Sequence, residues 1–501
     1  MREGARHGVV IKGGRFLEAL SEADTVVFDK TGTLTNASPR VVEVIPAAGH
    51  ERDEVLRLAA CLEEHFPHPV ARAVVRCAQE EGLQHEEEHA QVEYVVAHGI
   101  ASTLYGKAVR VGSRHYIECD EGIDLSPLEA EIDAQARMGR SLLYLAIDGK
   151  LAGFLAIEDP LRPECPQVLK QLEELGFRRI LMLTGDDVAI AREVAGEVGI
   201  GRRVRRAGEL RELPEAERLA LVDASDGFAE VLPADKHLIV RLLQDAGHSV
   251  GMTGDGVNDA PALAQAELGC AVEGATDVAR AAASAVLTRE GLGGVVDALT
   301  ESRRSYQRML TWVINKVTKV IEVVALFSAG YALTGEMPVT LLGMSLLVFA
   351  NDFATMSIAT DNVEATDSPN SWNLRSIVAA AGVLGALFAA EDLLVGWLGD
   401  AALGLAPEAA QTLVMYALVV NSQVRILTVR ERARAWASAP SAGMLVVAAA
   451  VTAGFTALVL LGWAVPAVPP EAVGLTLAVC CVGGLALDAA KVALFRRFHV
   501  A

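Results

Sequence analysis

The stretch TVVFDKTGTLT, Thr25 to Thr35, decides the fold. Its first residues are β-branched or aromatic up to a terminal carboxylate, Asp29, the pattern of a buried strand that ends in a charge. Gly32 then permits a sharp turn, so Asp29 sits at the carboxyl end of a strand, where open α/β sheets hold their ligands. Two later stretches repeat the design: LMLTGDD, Leu181 to Asp187, and GMTGDGVNDAPAL, Gly251 to Leu263. Helical patterns over 163–175 and 188–198 lie between them. Strands alternating with helices predict a doubly wound parallel sheet. Its strand ends would gather Asp29, Thr184, Asp186, Asp255 and Asp259 in one crevice. Carboxylates so crowded repel one another and require a cation. Oxygen donors with open positions suit Mg²⁺, which bridges them to a substrate phosphate. Under that screening Asp29 can attack a phosphoryl group and form an acyl phosphate, with the Thr184 hydroxyl and Lys236 amine on the phosphoryl oxygens.

DKTGTLT, followed in order by TGD at 184–186 and GDGVNDAPAL at 254–263, resembles the signature set of the P-type ATPases, cation pumps of the haloacid-dehalogenase superfamily. The resemblance implies an α/β doubly wound (haloacid-dehalogenase-like) phosphorylation domain with an inserted α+β nucleotide-binding domain; the apolar stretches after it, described below, predict a six-helix transmembrane bundle. It implies ATP as substrate, Asp29 as the phosphorylated residue, and Lys30, Thr31, Thr184, Gly185, Asp186 and Lys236 around the reacting group. Asp29, the Thr31 carbonyl, Asp255 and Asp259 would form the Mg²⁺ site. The segment EEHFPHPVARAV, Glu63 to Val74, opens a helix with His-Pro, which presents an imidazole beside free helix N–H groups as a platform for adenine. It is similar to the His-Pro motif of heavy-metal pumps, with Glu63, His68, Pro69 and Gly99 facing the nucleotide. Asp159 and Arg162, counted with that site, stand in a segment that looks like the family's hinge back into the phosphorylation domain. The expected domains are 1–35 (stalk and first strand), 36–156 (nucleotide), 157–300 (phosphorylation) and 301–501 (membrane).

Composition supports the split. Apolar residues make up 52% of the 501, yet 64 acidic against 44 basic residues leave a net charge of -20. A charged soluble part joined to a very apolar one fits both facts, and a nucleic-acid binder relying on positive charge is excluded. Seven cysteines without paired spacing exclude a disulfide framework and imply a reducing compartment. The polar, basic start lacks the apolar centre of a signal peptide. After residue 310, six stretches are long enough to cross a bilayer: 311–333, 340–361, 376–398, 410–428, 443–464 and 471–493. Arginines cluster before the first, after the second and fourth, and after the sixth, so the soluble part and the C-terminus are expected to be cytoplasmic at a cell membrane.

The resemblance also implies four further spans and an actuator domain ahead of the phosphorylated strand. This sequence has about 28 residues there, so the expectation is a C-terminal portion, with a second chain as one source of the rest. Ser302 to Met309, Asn351 to Val363 and Ser371 to Ile377 resemble the plasma-membrane proton pumps. Ionisable residues inside spans are costly, which singles out Lys319 and Glu322 on the first span and Asp352 on the second. Glu322 and Asp352 would lie at nearly equal depth, about 16 and 14 Å from the cytoplasmic end, with Lys319 as counter-ion. The expected function is ATP-driven cation transport with the proton favoured. A heavy-metal pump is the first alternative, and a membrane-anchored phosphatase the second. The phosphatase is disfavoured because Thr31 stands where an acid would activate water.

Overall fold

The computed structural model describes residues 8–36, 38–64, 69–83, 93–95, 99–104, 106–369 and 373–500. The chain divides into two units, Met1–Ser302 with Asp367–Pro369, and Arg303–Thr366 with Asn370–Ala501.

In the first unit, Thr25–Asp29 is the inner strand of an eight-stranded sheet. It pairs in parallel with Arg179–Leu183 on one side and Val250–Gly254 on the other. Leu268–Ala271, Ala285–Leu287 and the antiparallel edge Val9–Ile11 extend the second side; Gly227–Ala229 and Val204–Arg206 extend the first. Strand alternation divides the core: Val26, Phe28 and Met182 join one apolar cluster, Val27, Leu181 and Leu183 another. Both faces are therefore buried, as a parallel sheet covered by helices requires. The helices Cys165–Glu174 and Val188–Val198 fall where the apolar periodicity predicts them, and Asp187 caps the second by accepting from Ala189 N at 2.8 Å.

The chain leaves Asp29 through Gly32, whose φ of 74° is the left-handed region that favours glycine. It enters a six-stranded antiparallel sheet in the order Arg40–Pro46, Lys150–Glu158, Ser141–Ile147, Lys107–Gly112, Gly99–Leu104 and Glu93–Val95. Helices Arg52–Glu63 and Pro69–Glu80 bury Val55, Leu56, Leu62 and Val74 in its core. The outgoing and returning chains run together. Thr35 bridges Leu161, Asn36 N donates to the Pro160 carbonyl at 3.1 Å, and Arg162 N to the Leu34 carbonyl at 2.9 Å.

Among the described residues, six helices are long and apolar enough to cross a membrane. The first, Gly293–Thr334, is 42 residues long and begins well before its apolar part. The others are Leu341–Ser357, Leu374–Trp397, Pro407–Val429, Ala442–Leu461 and Pro470–Phe498. The fourth is central: 89% of its most apolar window is buried, against 11% for the fifth. Its end is held by Lys491 of the sixth helix, whose amine donates to the Thr428, Glu431 and Ala433 carbonyls at 3.0, 2.9 and 2.6 Å. That satisfies carbonyls a helix terminus leaves open.

Candidate active site

Register places the site. Asp29 aligns with Leu183 and Phe28 with Thr253, so Asp29, Thr184 and the loop after Gly254 emerge at one sheet edge. Carboxylate oxygens of Asp29, Asp255 and Asp259 all lie within 4.8 Å of one another. Lys236, buried on the helix Pro233–Asp245, donates to Asp29 Oδ1 and Asp259 Oδ1, each at 2.6 Å. The other Asp259 oxygen accepts from the backbone N–H groups of Asp255 and Gly256 at 3.1 and 2.9 Å. Asp259 thus has both oxygens committed and fixes the loop that carries Asp255. A Cβ on Gly32 would overlap the Asp255 carboxylate, so the turn and the close approach both demand glycine.

Burial pushes the Asp29 carboxyl up to about 7; Lys236 offsets part of that shift, and Asp259 and Asp255 add to it. Asp255 is pushed up to about 6, by burial first and then by Asp259. Two acids kept near neutrality in a ring of carboxylates fit a hard divalent cation, whose charge would release their protons. The oxygen-only donor set fits Mg²⁺.

A second cluster lies beside it. Lys30 pairs with Asp186, which also accepts from Ser141 Oγ at 2.7 Å and Thr184 Oγ1 at 3.0 Å. Burial works against the Asp186 charge, but Lys30, Ser141 and Thr184 outweigh it and hold its carboxyl below the usual range. Ser141 begins a strand of the second sheet, so this cluster ties the two sheets together; sequence reading missed it. Gly185 is the bend between Thr184 and Asp186. Thr31 follows Asp29 in extended backbone, with φ -74° and ψ 130°.

On the nucleotide side, His68 lies outside the described residues, and Pro69 opens its helix as predicted. Glu63 ends the preceding helix, buried enough to push its carboxyl up to about 7. Gly99 has a packing reason to be glycine: a Cβ there would meet the Val111 carbonyl and the Tyr116 ring. Asp159 and Arg162 are committed to the hinge. Asp159 accepts from Thr35 Oγ1 at 2.5 Å and Ser38 N at 3.2 Å, and Arg162 Nε donates to the Thr33 carbonyl at 3.0 Å.

Residues 23–267 match the family model of haloacid dehalogenase-like hydrolases. The chain is 33% identical over 456 residues to a cation-transporting ATPase of Methanocaldococcus jannaschii, covering 86% of this chain and 56% of that one. It is 38% identical over 326 residues to copper-exporting P-type ATPase V of Mycobacterium tuberculosis, covering 64% and 39%. It is 39% identical over 299 residues to a manganese-exporting P-type ATPase of Mycobacterium bovis, covering 59% and 38%. Over most of its length the chain is similar to P-type cation-transporting ATPases. It spans about half the length of the first of these relatives and less of the others. The matches give no support to a separate partner chain.

The chain is a multi-pass membrane protein, and its membrane unit corrects the expected ion pairing. Glu322 is buried and pairs with Arg425 of the fourth helix, not with Lys319. Asp352 faces away from the bundle, its side chain 64% exposed and 4.0 Å from Lys316. Equal depth on consecutive helices did not bring Glu322 and Asp352 onto facing sides. The groups that do face Glu322, Asp392 and Arg425, are intramembrane ionisable residues too. The rule that picked Glu322 would have found them on the third and fourth spans.

Proposed function

We propose that this chain carries the ATP-phosphorylated site and the C-terminal membrane helices of a pump for a divalent transition-metal cation. The observation that carries the reading is the Asp29–Lys236–Asp255–Asp259 cluster at one strand edge. In the proposed reaction an Asp29 carboxylate oxygen bonds to the γ-phosphorus of ATP. The bond from that phosphorus to the bridging oxygen breaks, and ADP leaves with the electron pair. Lys236 stabilises the ionised carboxylate and then the phosphoryl oxygens, and the Thr184 hydroxyl lies at the same edge to donate to them. Asp29, Asp255 and the Thr31 carbonyl would hold Mg²⁺, with Asp259 positioning Asp255. A Mg²⁺ ion held by these residues would supply positive charge against phosphoryl oxygens that otherwise repel the nucleophile. Lys30 and Asp186 both hydrogen-bond to Ser141 and so tie together the two sheets between which ATP would fit.

For the ion, relatives named for copper and manganese export favour a metal over the proton. Soft Cu⁺ prefers sulfur ligands. The adjacent thiols Cys480 and Cys481 are divided between a buried and an exposed position, which favours a harder divalent ion. The arginine-rich helix ends support a cytoplasmic location for the soluble part. The phosphatase reading lacks an acid at Thr31.

The test is labelling. Membranes given γ-labelled ATP and Mg²⁺ should yield an acid-stable, hydroxylamine-labile phosphate on the chain, and Asp29→Asn should abolish it because an amide does not attack phosphorus. Label that persists in Asp29→Asn overturns the assignment.

A further inference from the structure

The membrane unit holds a buried polar cluster that phosphorylation does not use. Glu322 on the first helix, Asp392 on the third, and Asn421 and Arg425 on the fourth are each at most 1% exposed. Each carboxylate has one oxygen satisfied. Glu322 Oε2 pairs with Arg425 Nη1, and Asp392 Oδ1 accepts from Asn421 Nδ2 at 2.9 Å. The other two oxygens, Glu322 Oε1 and Asp392 Oδ2, are buried without a donor. Their partners Asn421 and Arg425 stand one turn apart on the same face of the fourth helix, which sets the two carboxylates side by side. Asn421 Oδ1 and Asn315 Nδ2 nearby are also unpartnered, although Asn315 Oδ1 accepts from Arg425 Nε at 2.9 Å.

Two facing acceptors with no hydrogen between them repel, and one guanidinium cannot neutralise two carboxylates. Burying an unpaired charge costs several kcal/mol or more, so such groups are neutralised instead. We propose that Glu322 and Asp392 form a one-proton site: Asp392 carries a proton on Oδ2 and donates it to Glu322 Oε1, while Glu322 stays ionised against Arg425. A single proton then satisfies both orphaned oxygens and leaves the trio neutral. Among the described residues no other group donates a hydrogen bond to either orphaned oxygen. Lys319, partly buried on the first helix, makes no ion pair with either carboxylate. Glu391 keeps both oxygens unpartnered against Gly483 of the sixth helix, and Cys480 of that helix is an uncharged thiol donor at most. Loss of the proton would leave two carboxylates on one guanidinium, so the proton leaves only as another cation enters or the helices part. Binding a proton here is separate from transporting one, and the inference goes beyond the metal-pump reading.

Infrared spectroscopy of the full chain in lipid nanodiscs tests it. At about pH 8 with Mg²⁺ present, Asp29 and Asp255 are ionised, and a buried carboxylic acid is recognised by its C=O stretch, which shifts in D₂O. The band should shift again when the protein is grown with carbon-13-labelled aspartate, a readout that needs no substitution. It should disappear in both Asp392→Asn and Glu322→Gln, because each leaves one carboxylate for Arg425, and survive in Glu391→Gln. A wild-type protein without the band, or a band insensitive to aspartate labelling, overturns the proposal. Labelling of Asp29 in the same samples reports separately on the pump reading.

Discussion

Asp29 and Asp255 hold protons at about 7 and about 6 because burial outweighs the one lysine beside them. Between the ordinary carboxyl range and those values the folded chain binds more protons than the unfolded one, so metal-free stability falls as pH rises through that window. Mg²⁺ held there would take the ionised carboxylates and so expel the protons. Its affinity should therefore climb as pH rises from about 5 and level off above about 7.5, by roughly tenfold per pH unit for each proton released. Titration calorimetry in two buffers of different ionisation enthalpy measures both the affinity and the proton count. An affinity flat with pH and no proton release would contradict it. At this scale the clustering of Asp29, Asp255 and Asp259 was legible, because an apolar strand ending in aspartate announces both its burial and its end. The Ser141–Asp186 contact was not legible: those residues are distant in sequence, and only the folding of the two sheets brings them together.

Between elements, the third membrane helix approaches the first at Gly385, where a Cβ would lie 2.6 Å from the Thr318 carbonyl and 2.9 Å from the Ile321 Cβ. Gly382, one turn earlier, has nothing within 4 Å of its ideal Cβ. Small residues allow membrane helices to approach closely, and filling such a contact overpacks it. Gly385→Leu should cost about 1–3 kcal/mol and lower the Tm of the detergent-solubilised chain, while Gly382→Leu should change it little. Equal effects would mean that lost helix flexibility, not the contact, decides. Hydropathy located the six helices, but it records which residues are apolar and not which faces meet. That is why Asp352 was read as facing Glu322, when Arg425 and Asp392 occupy that face. The first helix outran its apolar span because its earlier turns are amphipathic, a pattern invisible to a search for continuous apolarity.

Across the whole molecule, a chain that is half apolar yet carries a charge of -20 could only be two kinds of structure in sequence, and the division at Ser302 follows that contrast. Composition does not name the ion, and the two readings predict different dependences for the whole chain. A proton pump that loads a membrane carboxylate from water must show Asp29 labelling with no added transition metal. The exposed Asp352, beside Lys316, is the side chain that reading relied on. A divalent-metal pump instead couples labelling to occupancy by the metal. Membranes stripped with chelator and returned to excess Mg²⁺ should then regain Asp29 label steeply with one added transition metal, Mn²⁺ foremost, at micromolar free concentration. Label should vary little between about pH 7.5 and 8.5, above the range in which Asp29 and Asp255 titrate. Asp352→Asn should leave the metal response in place. Label that ignores every metal tried and is lost in Asp352→Asn would return the transported ion to the proton while leaving the proposed phosphorylation site in place.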